Sequence, residues 1–97
     1  MATLFFDGPY TWIRPHGENA FMPGEEHVWF AGPFTNGTLT FQLSAHPSID
    51  QTIQQLAVVS LSITYELTGG PVINFVVRNV GPTAVFSYRV FVSGVKS

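Results

Sequence analysis

The side chains best suited to recognise a ligand are concentrated in the first third of the sequence. Residues 7–19, DGPYTWIRPHGEN, bring together aromatic rings, a guanidinium, an imidazole, carboxylates and an amide. Proline and glycine interrupt this stretch, which predicts loops, and loops often carry binding groups. A sugar ring needs a flat apolar face beside hydrogen-bonding groups, and concave ligand sites combine the two. The candidate ligand-binding residues are Tyr10, Trp12, Arg14, His16, Glu18 and Asn19.

Two other interpretations of this region stay open. Aromatic side chains supply much of the buried area in small domains, so Trp12 and Trp29 could instead close the two ends of a core. Imidazoles and carboxylates also suit zinc or another divalent ion, and this weaker metal alternative uses His16, Glu18 and His27. The sequence has no His-x-His pair, no Glu-x-x-His helix and no cysteine, so we expect neither a metal nor a cofactor.

Motifs for catalysis are missing from the sequence. A serine hydrolase of the strained-turn type would carry Gly-x-Ser-x-Gly, which does not occur. No glycine-rich phosphate loop or dinucleotide fingerprint is present either. A glycosidase needs two carboxylates opposed across a cleft, and nothing in the spacing of the acidic residues pairs them. The sequence therefore predicts that this protein is not an enzyme.

The composition predicts self-association. Charged residues make up 10% of the chain, whereas an average soluble domain contains about 25%. Hydrophobic residues make up 45%. A monomer of this composition would expose a large apolar surface, so we expect part of that surface to be hidden in a homo-oligomer.

Charge and terminal sequence exclude several partners. The formal net charge is −2, and four scattered cations cannot neutralise a phosphate backbone, so nucleic acid is not an expected partner. No apolar run approaches the ~20 residues of a membrane span. The first residues lack the basic and apolar regions of a signal peptide. The compartment stays open, either cytoplasmic or exported with the signal removed. Without cysteine the chain forms no disulfide.

Alternation of apolar and polar residues predicts an all-β protein. Strand patterns with a period of two cover residues 38–43, 59–67, 73–78 and 86–92. Turn-forming residues at 35–38, 68–71 and 79–83 separate these runs, and residues 48–55 are interpreted as a loop. We expect a meander over 56–93, a hairpin over 26–44 and one or two short strands within 2–13. The predicted fold is a single domain, residues 1–97, forming an immunoglobulin-like antiparallel β-sandwich of about seven strands, with a small β-barrel as alternative.

The C-terminal part of the chain carries a family resemblance. Residues 73–82, INFVVRNVGP, run into the strand pattern that contains 88–92, YRVFV. This stretch resembles the Val-x-Asn-x-Gly hairpin of bacterial immunoglobulin-like cell-adhesion domains of the CARDB-like type, in which that hairpin comes early in the domain. The resemblance covers about the last quarter of the chain. It implies a sandwich fold and a non-catalytic module, and it transfers no functional residue.

The same alternation predicts an interface. If Ile73, Phe75 and Val77 face the core, the valines that alternate with them face outward. The same alternation places apolar residues outward on the next strand of the predicted meander, so two adjacent strands would share an apolar stripe. An exposed apolar stripe usually marks an interface, and closed homo-oligomers are the common result. The function predicted is a non-catalytic binding or interaction module that self-assembles, with a glycan or protein partner at the N-terminal loops; the alternative is a lectin-like sugar-binding protein. The predicted interface residues are Val72, Val76, Val85 and Phe91.

Overall fold

The computed structural model describes residues 3–34, 38–48, 53–65 and 69–96. The regular secondary structure in these ranges consists of β-strands. They are β1 (Thr3–Ile13), β2 (Glu26–Ala31), β3 (Thr38–Pro47), β4 (Leu56–Tyr65), β5 (Pro71–Asn79) and β6 (Ser87–Lys96). In these ranges no helix is long and apolar enough to cross a membrane. Residues 35–37, 49–52 and 66–68, which belong to the predicted turns, the predicted loop and the end of a predicted strand, lie outside the described residues.

The strands form two antiparallel sheets of three strands each. The order is β1-β6-β3 in the first sheet and β2-β5-β4 in the second, so β6 and β5 are the central strands. The prediction of an all-β, sandwich-like fold is confirmed. The described part of the chain contains six strands rather than about seven, and its two sheets do not close into the barrel that the sequence left as an alternative.

Two predicted connections are wrong. Residues 56–93 do not form a meander, because β4 pairs with β5 whereas β6 lies in the other sheet. Residues 26–44 do not form a hairpin, because β2 and β3 also belong to different sheets. Strand alternation is the same whether the next strand pairs alongside or crosses to the facing sheet, so it does not distinguish the two connections.

The buried side chain of Asn79 shapes the connection after β5. Its amide nitrogen donates hydrogen bonds to the carbonyl oxygens of Phe21 and Thr83, at 2.8 and 2.9 Å. Its Oδ1 accepts one from the backbone N–H of Gly81 at 3.0 Å. These bonds turn residues 79–83 into an arch toward the other sheet instead of a hairpin, and they satisfy a polar group that has no exposure to solvent.

Register shifts interrupt the regular alternation. The chain over 2–13 contributes a single strand, β1, with a shift in its pairing to β6 between Asp7 and Tyr10. A second shift lies in β4 between Val58 and Ser60. An extra residue of this kind moves the following side chains to the opposite face. After the shift, Leu61 and Ile63 oppose buried residues of β5, so they point to the inner face, as the alternation predicted.

The core consists mainly of side chains from the two central strands. Every second residue of β5 and of β6 is buried, because a central strand has neighbours on both sides and the other sheet over its inner face. Ala31 of β2 is also buried, whereas the other side chains that the four edge strands pack around this centre remain partly exposed. The fully buried apolar residues of the central strands are Ile73, Phe75, Val77, Tyr88, Val90 and Val92.

Close packing at Gly94 generates a prediction about stability. A Cβ added at Gly94 would collide with the carbonyl oxygen of Thr40 and lie 2.8 Å from the ring of Phe5. Because β3 would have to shift, we expect Gly94→Ala to lower the free energy of unfolding by about 1–3 kcal/mol. Gly69→Ala is the control, since its added Cβ would meet Pro33 at an ordinary 4.0 Å. Urea denaturation of both variants measures the effect, and an unchanged midpoint for Gly94→Ala would contradict the packing.

Candidate functional site

The six predicted ligand-binding residues separate into two groups. Trp12, Glu18 and Asn19 line a hollow of about 450 Å³ at one end of the sandwich, together with Glu25 and His27. The other three do not belong to its lining. They are Tyr10, Arg14 and His16.

Two of those three side chains have contacts of their own. The hydroxyl of Tyr10 donates a hydrogen bond to the carboxylate of Asp7. Burial raises the pKa of Tyr10 to about 12. The hydrogen bond to Asp7 and the negative charge of the Asp7 carboxylate act in the same direction. The guanidinium of Arg14 lies 5.2 Å from the centre of the Phe86 ring, a cation–π contact. His16 is exposed in the loop that follows β1.

Backbone hydrogen bonds hold the loop that forms the hollow. The N–H of Glu18 donates to the carbonyl of Pro15 at 3.1 Å, which closes a turn over Gly17, whose φ is +81°. Further along, Phe21 and Val85 exchange two backbone hydrogen bonds of 2.9 Å. Residues 15–20 are therefore tied at both ends, and the hollow lies between this loop and the start of β2.

Glu25 is placed by a second turn. Its N–H donates to the carbonyl of Met22 at 3.0 Å, and its carboxylate Oε1 accepts a bond from the N–H of Met22 at 2.7 Å. The same turn is attached to the end of β5, because the N–H of Gly24 donates to the carbonyl of Asn79 at 2.8 Å. The sequence interpretation missed Glu25 as a binding residue, since only this turn brings it beside Glu18.

An aromatic cluster lies behind the hollow, and its members Trp12 and His27 belong to the lining. The ring of His27 stacks on Phe21 with centroids 3.9 Å apart, and Trp12 contacts both His27 and Tyr88 at 4.7 and 5.5 Å. Phe21 and Tyr88 are fully buried, whereas Trp12 is half-buried. Trp12 therefore packs against the core and also lines the hollow, and its role in ligand binding stays a prediction.

The hydroxyl of Tyr88 determines the hydrogen-bonding state of His27. Trp29 Nε1 donates to this hydroxyl at 2.8 Å, and the hydroxyl lies 2.6 Å from His27 Nδ1. Because the oxygen already accepts a hydrogen bond from Trp29, the hydroxyl can donate its own hydrogen bond to Nδ1, which accepts it when the imidazole is neutral. Burial lowers the pKa of His27 and so favours the neutral ring. The negative charge of Glu25 acts in the opposite direction and is the smaller effect. Burial also raises the pKa of Tyr88 to about 12, so its hydroxyl keeps its proton.

The metal alternative is not supported by this arrangement. In the described ranges no three His, Asp or Glu side chains form a group that could hold a metal ion. His16, Glu18 and His27 are thus not brought together as ligands. His27 lies on the inner face of β2, opposite Val77, and its Nδ1 is occupied by Tyr88. The hollow instead presents an indole, a neutral imidazole, an amide and two carboxylates, which are groups for hydrogen bonding to a polar organic ligand.

The predicted interface residues lie in three different places. Val72 and Val76 alternate with the buried residues of β5 and so lie on the outer face of the second sheet. Phe91 is 39% exposed on the outer face of the first sheet. Val85 is fully buried, so the prediction that it faces outward is wrong. A bend at Phe86 separates Val85 from β6, and the alternation does not continue across it. The predicted stripe on two adjacent strands is also wrong, because β5 and β6 belong to different sheets.

The outer face of the second sheet carries an apolar surface that the sequence interpretation missed in part. Val28 and Phe30 of β2 are 81% and 75% exposed, and Val28 lies directly opposite Val76. We call Val28, Phe30, Val72 and Val76 the outer apolar face. The signal was present in residues 26–31, EHVWFA, where apolar residues occupy consecutive positions and so must occur on both faces of the strand.

Comparison with known proteins adds no relative: no protein-family model, no curated protein and no solved structure matches this chain. The fold and surfaces described above define a class, a small all-β protein of two antiparallel sheets without cysteine. Its distinguishing features are the polar hollow at one end and the outer apolar face.

The state of His27 generates a prediction about pH. An unfolded histidine has a pKa of about 6.5, and burial lowers that of His27 in the fold. At a pH between the folded and unfolded pKa values, the unfolded chain binds more protons than the folded chain. The contribution of His27 to stability is therefore complete above the pKa of the unfolded state and is lost as the pH falls toward the folded pKa. We expect the free energy of unfolding to fall less in His27→Gln than in the unchanged protein between pH 7.5 and 5.5. Urea denaturation across this range measures it, and parallel pH profiles would contradict the assignment.

Proposed function

We propose that this protein is a non-catalytic interaction module that associates with further copies of itself through the outer apolar face. The observation that carries the proposal is the exposure of Val28 and Phe30 beside Val72 and Val76 on one sheet surface. Asn74 lies between the two valines, opposite Phe30, so this surface is mainly rather than wholly apolar. An exposed apolar patch usually marks a contact site.

A second copy is the occupant that the charges favour. Across the sheet, the outward residues of β4 are the hydroxyl side chains Ser60, Ser62 and Thr64, which carry no charge. At one end of the face, Glu26 lies directly opposite Arg78, so the two opposite charges are neighbours. Two such faces in contact would bury apolar groups while these two charges stay at the end of the face, where they need not lose their hydration. A twofold arrangement uses the same patch on both copies.

The strand order supports an immunoglobulin-like assignment of the sandwich. Constant-type immunoglobulin sheets contain the strands A, B, E and D, and C, F and G. The order β2-β5-β4 corresponds to B, E and D, and β3-β6-β1 to C, F and G with the N-terminal strand in the last position. This arrangement is compatible with the sandwich fold that the C-terminal resemblance implies, although residues 79–83 form an arch and not the hairpin on which that resemblance rests.

The proposed contact is tested by adding charge to one face. We expect Phe30→Glu to dissociate the oligomer, because each copy would place a carboxylate in the apolar contact. Phe6→Glu is the matched control, since Phe6 is 83% exposed on the outer face of the first sheet. Analytical ultracentrifugation over a range of concentrations measures the mass. Equal masses for the unchanged chain and Phe30→Glu would refute the face as an interface.

The hollow at the end of the sandwich favours a second candidate function, binding of a sugar. Trp12 offers an aromatic surface beside the amide of Asn19, the carboxylates of Glu18 and Glu25 and the imidazole of His27. Sugar hydroxyls both donate and accept hydrogen bonds, and this set provides partners for each. The proposal therefore places sugar recognition in this hollow, and not at Tyr10, Arg14 or His16.

Tryptophan fluorescence tests the sugar proposal. We expect saturable quenching by one member of a glycan panel, because a sugar in the hollow would contact Trp12. The response should be lost in Glu18→Gln and Asn19→Ala, whose side chains are exposed and are replaced without disturbing the core. Arg14→Ala is the control, since Arg14 does not line the hollow and should leave the quenching unchanged. No response across the panel, or equal loss in all three variants, would refute the assignment.

A further inference from the structure

The edge strands of the two sheets differ in how well they are protected against pairing. An unpaired edge is a template for another strand, and proteins block it with charge, proline, irregular register or a short length. β1 contains Asp7, Pro9 and a register shift, and β3 ends at Pro47. β2 has six residues and carries Glu26. β4 has ten residues, LAVVSLSITY, without charge or proline.

The unprotected part of β4 is its second half. The register shift at Val58 and Ser60 protects the first half, whereas the register is regular from Ser60 to Tyr65. Leu61 and Ile63 on the inner face remain 43% and 41% exposed, although the β5 residues opposite them are buried. β3 of the facing sheet comes close to β4, but among the described strands only β5 is hydrogen-bonded to β4. A strand added beside β4 would cover these side chains and would bond to the backbone N–H and C=O groups that point away from β5.

We infer that β4 pairs with β4 of a second copy, antiparallel and with Ser62 opposite itself on a twofold axis. In this register Leu61 of one copy lies opposite Ile63 of the other, and Ser60 lies opposite Thr64. The β2-β5-β4 sheets of the two copies become one sheet of six strands. An axis perpendicular to the sheet keeps the inner faces on the same side, so the half-exposed Leu61 and Ile63 of both copies pack together.

The second copy is favoured over an unrelated strand because β4 is complementary to itself. Apolar side chains meet apolar ones, hydroxyls meet hydroxyls, and no like charges are opposed, since residues 60–65 carry none. The segment has the high strand propensity and low charge typical of self-pairing strands. This contact uses a sheet edge rather than the outer apolar face, so it is independent of the proposed function.

Opposite charges at Ser62 test the pairing and its register. Ser62 is exposed on the outer face, so substitution there leaves the core intact. Ser62→Lys alone and Ser62→Glu alone each place like charges on the twofold axis, and we expect each to weaken the association by roughly tenfold or more. A mixture of the two variants should recover it. Gln42→Lys, on the exposed outer face of edge strand β3, is the control and should have no effect.

Sedimentation of these variants is measured in the unchanged chain and in Phe30→Glu, which separates the two contacts. Loss of mass with Ser62→Lys but not with Phe30→Glu supports the edge contact and overturns the face contact. Loss of mass with Phe30→Glu but not with Ser62→Lys supports the face contact and overturns the edge contact. A monomer in the unchanged chain at all concentrations overturns both, as does an oligomer that neither substitution affects.

Cross-linking gives a second readout that does not depend on charge. The chain contains no cysteine, so a single Ser62→Cys substitution provides one thiol per copy. A disulfide requires Cα atoms within about 7 Å, which the proposed register satisfies for Ser62 and its own copy. We expect Ser62→Cys to form covalent dimers under mild oxidation faster than Gln42→Cys. Equal rates for the two variants would overturn the pairing.

Discussion

Each sheet has only three strands, so only one strand per sheet can be covered on both sides. The fully buried apolar side chains of the regular strands therefore come almost entirely from β5 and β6, which face each other across the sandwich. Apart from Ala31 of β2, the side chains that the four edge strands contribute to the core are only partly buried. A core of this width leaves part of every edge strand in solvent, and the surface properties of the protein follow from it.

Low charge makes this constraint important. In a chain with 10% charged residues, most outward positions of the strands are filled by hydroxyl, amide and apolar side chains. β2 is the clearest case, because His27 and Trp29 face inward while Val28 and Phe30 face outward. The outer apolar face and the uncharged edge of β4 thus have the same origin. Both are surfaces that the two sheets leave uncovered within one copy, and the proposed contacts with a second copy would cover them.

The hollow depends on the same core. Tyr88 belongs to the central strand β6, and its hydroxyl joins Trp29 and His27 of β2 in one hydrogen-bonded chain. Trp12 of β1 packs on the Tyr88 ring. The two aromatic groups that line the candidate binding site, Trp12 and His27, are therefore held against the core, while Glu18 and Asn19 are carried on a loop tied down by backbone hydrogen bonds. Such an arrangement is organised before a ligand arrives, which reduces the entropy cost of binding.

By itself, the sequence determined the all-β class, because a period of two is a local property of an extended chain. It also placed Trp12, Glu18 and Asn19 in one segment, and these three residues do line one hollow. Sheet membership was decided only by the tertiary structure. Alternation assigns the faces of a strand but is the same for a hairpin and for an arch, and the buried bonds of Asn79 made the arch. The burial of Val85 likewise depended on the bend at Phe86, which ends the alternation there. The exposure of Val28 and Phe30 required knowing that no third layer covers the outer face of the described sheet, which is a property of the packed molecule and not of any local pattern.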